Sequence, residues 1–329
     1  MNADEIGLLD QTVSALTQQH EGPELTAALD AFGWRELLTD EPDAAISAIF
    51  GNQGASGTWS SALHDVLGAA VGVDETTAVL VPHPGKTATC RLEGEYIAVE
   101  GLLLGARTGS RQTLGAMPTE DGRTALVRFE YAQTRFQPIK GLDPAMGTVM
   151  VSGSVDRARL GFDDVDATST WRAAISSGRY ALSHQLVGTL AAMHALALTH
   201  AVERSQFGQQ IGTFQAIRHR LAESHVAVAG ATATAVGMGE VATGRDSSQD
   251  DRSLAAAMTK LVAGRSAEKV TTHCQQVLAG IGFTSQHPFH RFMKRASSLD
   301  RLFGNPAELS REVGHQLMQR GEAPRLLDL

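Results

Sequence analysis

"ERSQFGQQIGTFQAIRHRLAE", residues 203–223, decides how the chain is expected to fold. It separates two long segments of helical hydrophobic period. Upstream, Leu182, Leu186, Leu190, Met193 and Ala197 recur at steps of three and four in an uninterrupted run from about residue 175 to 203, enough for a helix of roughly 40 Å. Downstream, Phe214, Ile217, Leu221 and Val228 carry the period on to about Val241. A third run extends from Leu254 through Met258, Leu261, Val270 and Cys274 to Leu278, with Asp250 or Asp251 as its expected N-cap. Long helices joined by short connections predict an antiparallel bundle. At the first junction the "FGQQIG" turn sets a guanidinium, Arg204, beside an amide, Gln215, a pairing suited to a pyrophosphate. A plain helical hairpin in which Arg204 caps the preceding helix satisfies the same pattern.

The texture changes away from this bundle, which is expected over residues 169–329. Residues 76–168 hold short alternating runs, "TAVLV", "TATCRL", "YIAVEG", "ALVRFEY" and "TVMVSG", broken by "PHPG", "EDGR" and "GLDPAMG". Such spacing predicts an antiparallel β-sandwich or small barrel, and the lack of helix-length patterns between the runs excludes a Rossmann domain. Residues 1–75 carry shorter helical patterns such as "ELTAALDAFGWRELL" and "WSSALHDVLGAAVG" and are expected to form a reduced helical domain. The fold class is therefore α+β, mainly α.

Composition narrows the function. The chain has 329 residues, 43% of them hydrophobic, and a formal net charge of −8 with no concentration of Lys and Arg, so nucleic acid is not an expected partner. Cys90 and Cys274 stand far apart in apolar surroundings and read as buried thiols. Of the scattered histidines, the nearest pair, His287 and His290, has no third ligand close in sequence, so no metal is expected. The acidic start "MNADEIGLLDQTVSAL" does not read as a signal peptide. No apolar run approaches the roughly 18–20 residues of a membrane span, so a cytoplasmic, membrane-free protein is expected.

The stretch from Arg204 resembles the R-x-x-F-G-x-x-I-x-x-F-Q-x-x-x-H signature of the acyl-CoA dehydrogenase family. "QQVLAGIGFTSQHPFHRFMKRA", residues 275–296, is similar to that family's Q-x-x-G-G-x-G-F-T segment. The resemblance is strong from about Trp171 to Leu309, moderate over Leu142 to Asp164 and faint before that. It implies the family's order of helical region, β-domain and four-helix bundle, FAD as cofactor and an acyl-CoA thioester as substrate. It also implies that Arg204, Phe207 and Gln215 contact the pyrophosphate and adenosine half of an FAD held mainly by a neighbouring subunit. Gln276 and Gly280 would reach the same end of the cofactor from another subunit. Ala279 replaces the first glycine of the usual pair, and Gly280 and Gly282 would let the cofactor approach a bare backbone.

The family's reaction needs a carboxylate to remove the α-proton while the β-hydrogen leaves as hydride to the flavin. The resemblance gives two positions for that glutamate. One falls on Phe303, before Gly304. The other falls on Gly178 or Ser177, just before Arg179, which could line the substrate or CoA channel or stand solvated at the helix end. None of the three residues can act as the base. Glu308 is a candidate displaced base, although "NPAELSRE" also reads as a helix start with an acid in its first turn. Gln286 fills a place where many relatives carry Glu. Leu102 to Gly105 stand where relatives carry polar residues that hold the flavin ring, and no Thr-Glu...Gly-Ser-Asp equivalent precedes them.

Contacts to a partner's cofactor are thus kept while groups acting within the chain's own site are lost. That selectivity resembles the shortened, non-catalytic β-type subunit of actinobacterial steroid-CoA dehydrogenases. The resemblance implies an α2β2 heterotetramer with a second dehydrogenase subunit, a bulky, steroid-derived acyl-CoA in lipid catabolism, and electron-transfer flavoprotein as acceptor. Two alternatives are a self-sufficient homo-oligomeric dehydrogenase with a displaced base, and a non-enzymatic acyl-CoA-binding protein on the same fold.

Overall fold

A computed structural model describes residues 1–105, 110–164 and 166–321. Five helices open the chain: α1 (Ala3–Gln19), α2 (Pro23–Phe32), α3 (Trp34–Asp40), α4 (Pro42–Ser56) and α5 (Ala62–Val71). Eight strands follow: β1 (Thr77–Val79), β2 (Cys90–Glu93), β3 (Tyr96–Leu104), β4 (Gln112–Pro118), β5 (Thr124–Glu130), β6 (Arg135–Pro138), β7 (Thr148–Asp156) and β8 (Gly161–Asp164). The rest is helical: α6 (Thr168–Glu203), a two-residue-stranded hairpin of β9 (Ser205–Gln206) and β10 (Gln209–Gln210), α7 (Gln215–Gly237), α8 (Gly239–Thr243), α9 (Gln249–Leu278), α10 (Phe289–Arg301) and α11 (Pro306–Arg320). This is the expected α+β, mainly α arrangement, with a C-terminal helical bundle.

Helix α6 is the axis of the bundle and packs against α4, α5, α7, α9 and α10. By length and apolarity it would also pass for a membrane span, which the sequence reading did not anticipate. Its buried residues, among them Leu182, Leu186, Leu190 and Met193, instead form the protein core, and mean packing on all sides explains why no narrow apolar stripe is visible. The crossing with α4 is unusually close. A Cβ on Gly188 would lie 2.0 Å from the Gly51 carbonyl oxygen, and one on Gly54 would lie 2.1 Å from that of Gln185. Only glycine permits backbones so near. Helix α4 therefore belongs to the same packed body as the bundle.

The β-region forms two four-stranded sheets, ordered β1-β4-β5-β8 and β2-β3-β7-β6. All pairs are antiparallel except β1 with β4, which run parallel from Thr77 opposite Gln112. Strand β4, "QTLGAMP", carries no alternation to reveal it. Its Gly115 accommodates Cys90, whose Sγ would sit 2.4 Å from a Cβ there. Burial pushes the Cys90 thiol up to about 12 and the Cys274 thiol up to about 11, so neither is a thiolate near neutral pH.

Two helix boundaries differ from expectation. Helix α9 is capped by Ser248, whose hydroxyl accepts from the Asp251 N–H, while Asp250 and Asp251 fall inside the first turn. The second long helix ends at Gly237, and the chain restarts as α8 after Met238.

Candidate functional site

The turn between α10 and α11 holds the first of the two expected base positions, and two buried cations fix it. Lys260 of α9, fully buried, donates to the Asp300 carbonyl at 2.9 Å. Arg179 of α6 donates through Nε to the Phe303 carbonyl at 2.9 Å and through its terminal nitrogens to Glu312 at 2.6 and 2.7 Å. Cations suit carbonyls at the C-terminal end of a helix, where α10 leaves its last acceptors open. Burial pulls Lys260 down to about 8. Arg179 is thus a buried, bidentate clamp rather than a solvated helix-end residue.

The clamp leaves Phe303 at φ 56, in the left-handed region, followed by Gly304 at φ 107. Its ring turns inward onto Gly178: a Cβ at 178 would come within 2.8 Å of Phe303 Cε2 and 3.2 Å of Leu67 Cδ2. The two expected base positions therefore compete for one space, and an apolar ring fills it. Ser177 lines a separate small cavity of about 150 Å³ beside Pro42 and Arg252. Glu308 is the third helical residue of α11 and closes a capping box with Asn305, accepting that residue's N–H at 3.1 Å.

Beyond this turn opens a cleft of about 830 Å³ between the 82–88 loop, the first half of α6, the start of α9 and one face of α11. The Trp171 indole donates to the Thr87 carbonyl at 3.2 Å and ties α6 to the loop. Arg179, Phe303 and Glu308 all lie on the wall.

The strand expected to replace the flavin-ring pocket ends in a closed surface. Leu102 and Leu103 are buried, and a Cβ on Gly105 would lie 2.4 Å from the Ser60 carbonyl and 2.9 Å from Trp59 Cε3. The Trp59 indole also abuts Gly22 and Gly147, each at 2.9 Å from a Cβ built there. The space left beside Leu104 and Gly105 is about 30 Å³. An isoalloxazine does not fit there, and no polar side chain among Leu102 to Gly105 is present to hold one.

The residues expected to meet the other half of an FAD lie on the outside. Phe207 and Gly208, at φ 52 and 79, form the tip of the β9–β10 hairpin, and Phe207 is 92% exposed. The Phe214 ring supports it edge-on at 6.2 Å. Arg204 is the C-cap of α6; its N–H satisfies His200, and its exposed guanidinium has no partner among the described residues. Gln215 opens α7 and is exposed, where free helix N–H groups favour an anion. Gln276 and Gly280 are exposed near the end of α9, and the His200 and His287 rings, 6.4 Å apart, bring that segment to the hairpin's end of the bundle. No group of three potential metal ligands occurs among the described residues.

The glycines of this segment differ in purpose. A Cβ on Gly280 would meet nothing within 4 Å, whereas one on Gly282 would lie 2.6 Å from Gln275 Nε2. Gly282 is thus also packed within the chain, against the end of the Gln275 side chain and the Leu278 Cβ at 3.0 Å. Gln275, which the sequence did not single out, has its Oε1 buried without a hydrogen-bond partner. Ala279 sits at φ 51, ψ −133, so the position keeps the backbone geometry of the missing glycine.

Residues 169–317 match the acyl-CoA dehydrogenase C-terminal domain family. This stretch is the C-terminal bundle, and the chain as a whole is similar to acyl-CoA dehydrogenases. It is 28% identical to acyl-CoA dehydrogenase IpdE2 of Mycolicibacterium smegmatis, over 94% of this chain and 98% of that protein. Among solved structures, it is similar to a chain of the ChsE4-ChsE5 complex from Mycobacterium tuberculosis, with a TM-score of 0.72 at 18% identity over 98% and 99% of the two chains. It is also similar to glutaryl-coenzyme A dehydrogenase in its glutaryl-CoA complex, with a TM-score of 0.74 at 16% identity over 98% and 97%. The likeness to this family supports oxidoreductase activity.

Proposed function

We propose that this acyl-CoA dehydrogenase chain is the non-catalytic, β-type subunit of a heteromeric FAD-dependent enzyme, in which a partner subunit supplies the glutamate base and the flavin-ring pocket. The observation that carries this reading is the Phe303 ring packed on Gly178, which leaves neither family position for the base open. The Trp59 seal against Gly105 supports it from the flavin side. Arg204, Gln215 and Gln276 present polar groups outward, Phe207 an exposed ring and Gly280 bare backbone, as contacts to a cofactor held by another chain require. When bound there, FAD supplies hydride acceptance; this chain's residues bind and orient its pyrophosphate and adenosine.

The likeness to chains of the ChsE4-ChsE5 complex and of the Tcur3481-Tcur3483 steroid acyl-CoA dehydrogenase favours a heteromeric assembly and a bulky, steroid-derived acyl-CoA. We take the assembly as α2β2, with electron-transfer flavoprotein as acceptor. Co-expression with a second acyl-CoA dehydrogenase subunit, followed by purification and a flavin absorbance spectrum, tests the reading. A yellow, active complex is expected, together with a flavin-free isolated chain. Stoichiometric FAD and turnover in the isolated chain would overturn it and favour a displaced base such as Glu308, whose capping bond to Asn305 argues against that role. Binding of acyl-CoA with no flavin reduction beside any partner would instead support the non-enzymatic alternative.

A further inference from the structure

We infer that the small cavity enclosed by α3, α4, α5, α6, α8 and the start of α9 binds a short-chain carboxylate, an anionic head on a tail of a few carbons. The inference does not depend on whether a partner supplies base and flavin, because all the residues around the cavity belong to this chain. At about 150 Å³ the cavity is well above the roughly 10–15 Å³ that one water needs. It is smaller than the roughly 300–1,000 Å³ of drug-sized sites, which limits an occupant to a few heavy atoms.

The cavity divides into an apolar floor and a polar end. Leu38, Ile46 and Val66, one each from α3, α4 and α5 and all buried, make the floor. Gln249 and Arg252 make the polar end; they stand three residues apart at the start of α9 and so share one of its faces. Each carries a donor that is buried, Gln249 Nε2 and Arg252 Nε, and neither donor finds an acceptor among the described residues. A buried donor left unmet is costly, and two on one cavity wall specify an acceptor brought from outside the chain. Among the described residues no Asp or Glu lines the space to serve instead. The acids close by are engaged elsewhere: Asp250 pairs with Arg172, Asp251 with Arg320, and Asp43 accepts the Tyr180 hydroxyl. A guanidinium beside an amide matches the two oxygens of a carboxylate. The single cation and the apolar floor favour a monoanion with a hydrocarbon tail over a phosphate. Ala69, exposed at the rim, marks the entrance.

The test is titration of the full-length chain with propionate, followed by saturation-transfer NMR. Saturable binding is expected, roughly tenfold or more tighter than that of uncharged propan-1-ol, because the head group makes charge-assisted bonds. Arg252→Met keeps the length of the side chain and removes both charge and donor. It is expected to weaken propionate by roughly tenfold or more without lowering the melting temperature, since no partner within the chain is lost. Gln249→Leu removes the second donor alone and is expected to weaken propionate by roughly threefold or more, a readout that stands even where Arg252→Met folds poorly. Ala69→Trp, at the exposed rim, is expected to block entry and abolish binding. Absence of saturation, equal affinity for propan-1-ol, or unaltered affinity in the Gln249→Leu or Ala69→Trp variant would each overturn the proposal. Full displacement of propionate by an equal concentration of chloride would overturn the carboxylate assignment.

Discussion

Phe303 and Gly178 share one volume: the aromatic ring lies where a side chain at 178 would have to begin, 2.8 Å from its Cβ. A glutamate at 178 cannot be accommodated without moving the Phe303 ring. Gly178→Glu alone is expected to lose roughly 1–3 kcal/mol through overpacking. Adding Phe303→Ala should recover more than half of that, a coupling that chemical denaturation of both single variants and the double variant measures. Equal losses in the presence and absence of Phe303 would show that the ring is not what excludes the side chain.

Ala279 holds a backbone conformation that costs an L-residue on the order of 1–3 kcal/mol, while glycine adopts it freely. Ala279→Gly is therefore expected to stabilise the chain by about 1 kcal/mol after the extra chain entropy of glycine is subtracted. A change in denaturation midpoint at constant slope would register it. A lower midpoint would contradict the strain.

Arg204 is exposed and unpartnered in the isolated chain, so Arg204→Ala should leave its melting temperature unchanged. In the heteromeric complex the same change should weaken FAD by roughly tenfold to a hundredfold, since charge-assisted bonds contribute about 1.5–3 kcal/mol. Flavin retention on dilution reads this directly. A destabilised isolated chain with unaltered flavin binding would return Arg204 to a helix-capping role.

His184 is buried on α6 against the Tyr180 ring, its Nε2 unpartnered, and burial lowers it to about 4. Because the folded form holds its proton less tightly than the unfolded form, the neutral side chain's stability is fully present above the ordinary value near 6.5. It is lost as pH falls through the window from about 6.5 to about 4. The loss is on the order of a few kcal/mol. His184→Phe should flatten the melting-temperature profile across that window relative to the native chain, and parallel profiles would refute the assignment.

The bundle was legible because its helices are long and their apolar periods unambiguous, and the Arg204 to Gln215 turn because its residues act locally. The β-region was only half legible. Strand β4 lacks alternation, since Gly115 yields its space to Cys90, and its parallel pairing with β1 joins segments whose register nothing local sets. The closed flavin-ring surface could not be read at all, because Trp59 meets Gly22, Gly105 and Gly147 from four distant points in the chain. Sequence alone could not decide whether Arg179 lines a channel or stands solvated, because its partners, the Phe303 carbonyl and Glu312, lie more than a hundred positions away. Ser248 prevailed as cap over Asp250 and Asp251 because the helix begins one turn earlier than its apolar period suggests.

The glycine crossing of α4 and α6 makes the two ends of the chain one object, with the sheets inserted between them like a loop of great length. A protease cut within the exposed Thr119–Gly122 turn should therefore leave two pieces that migrate together until denatured. Split gene halves divided at that turn should likewise reassemble when expressed side by side.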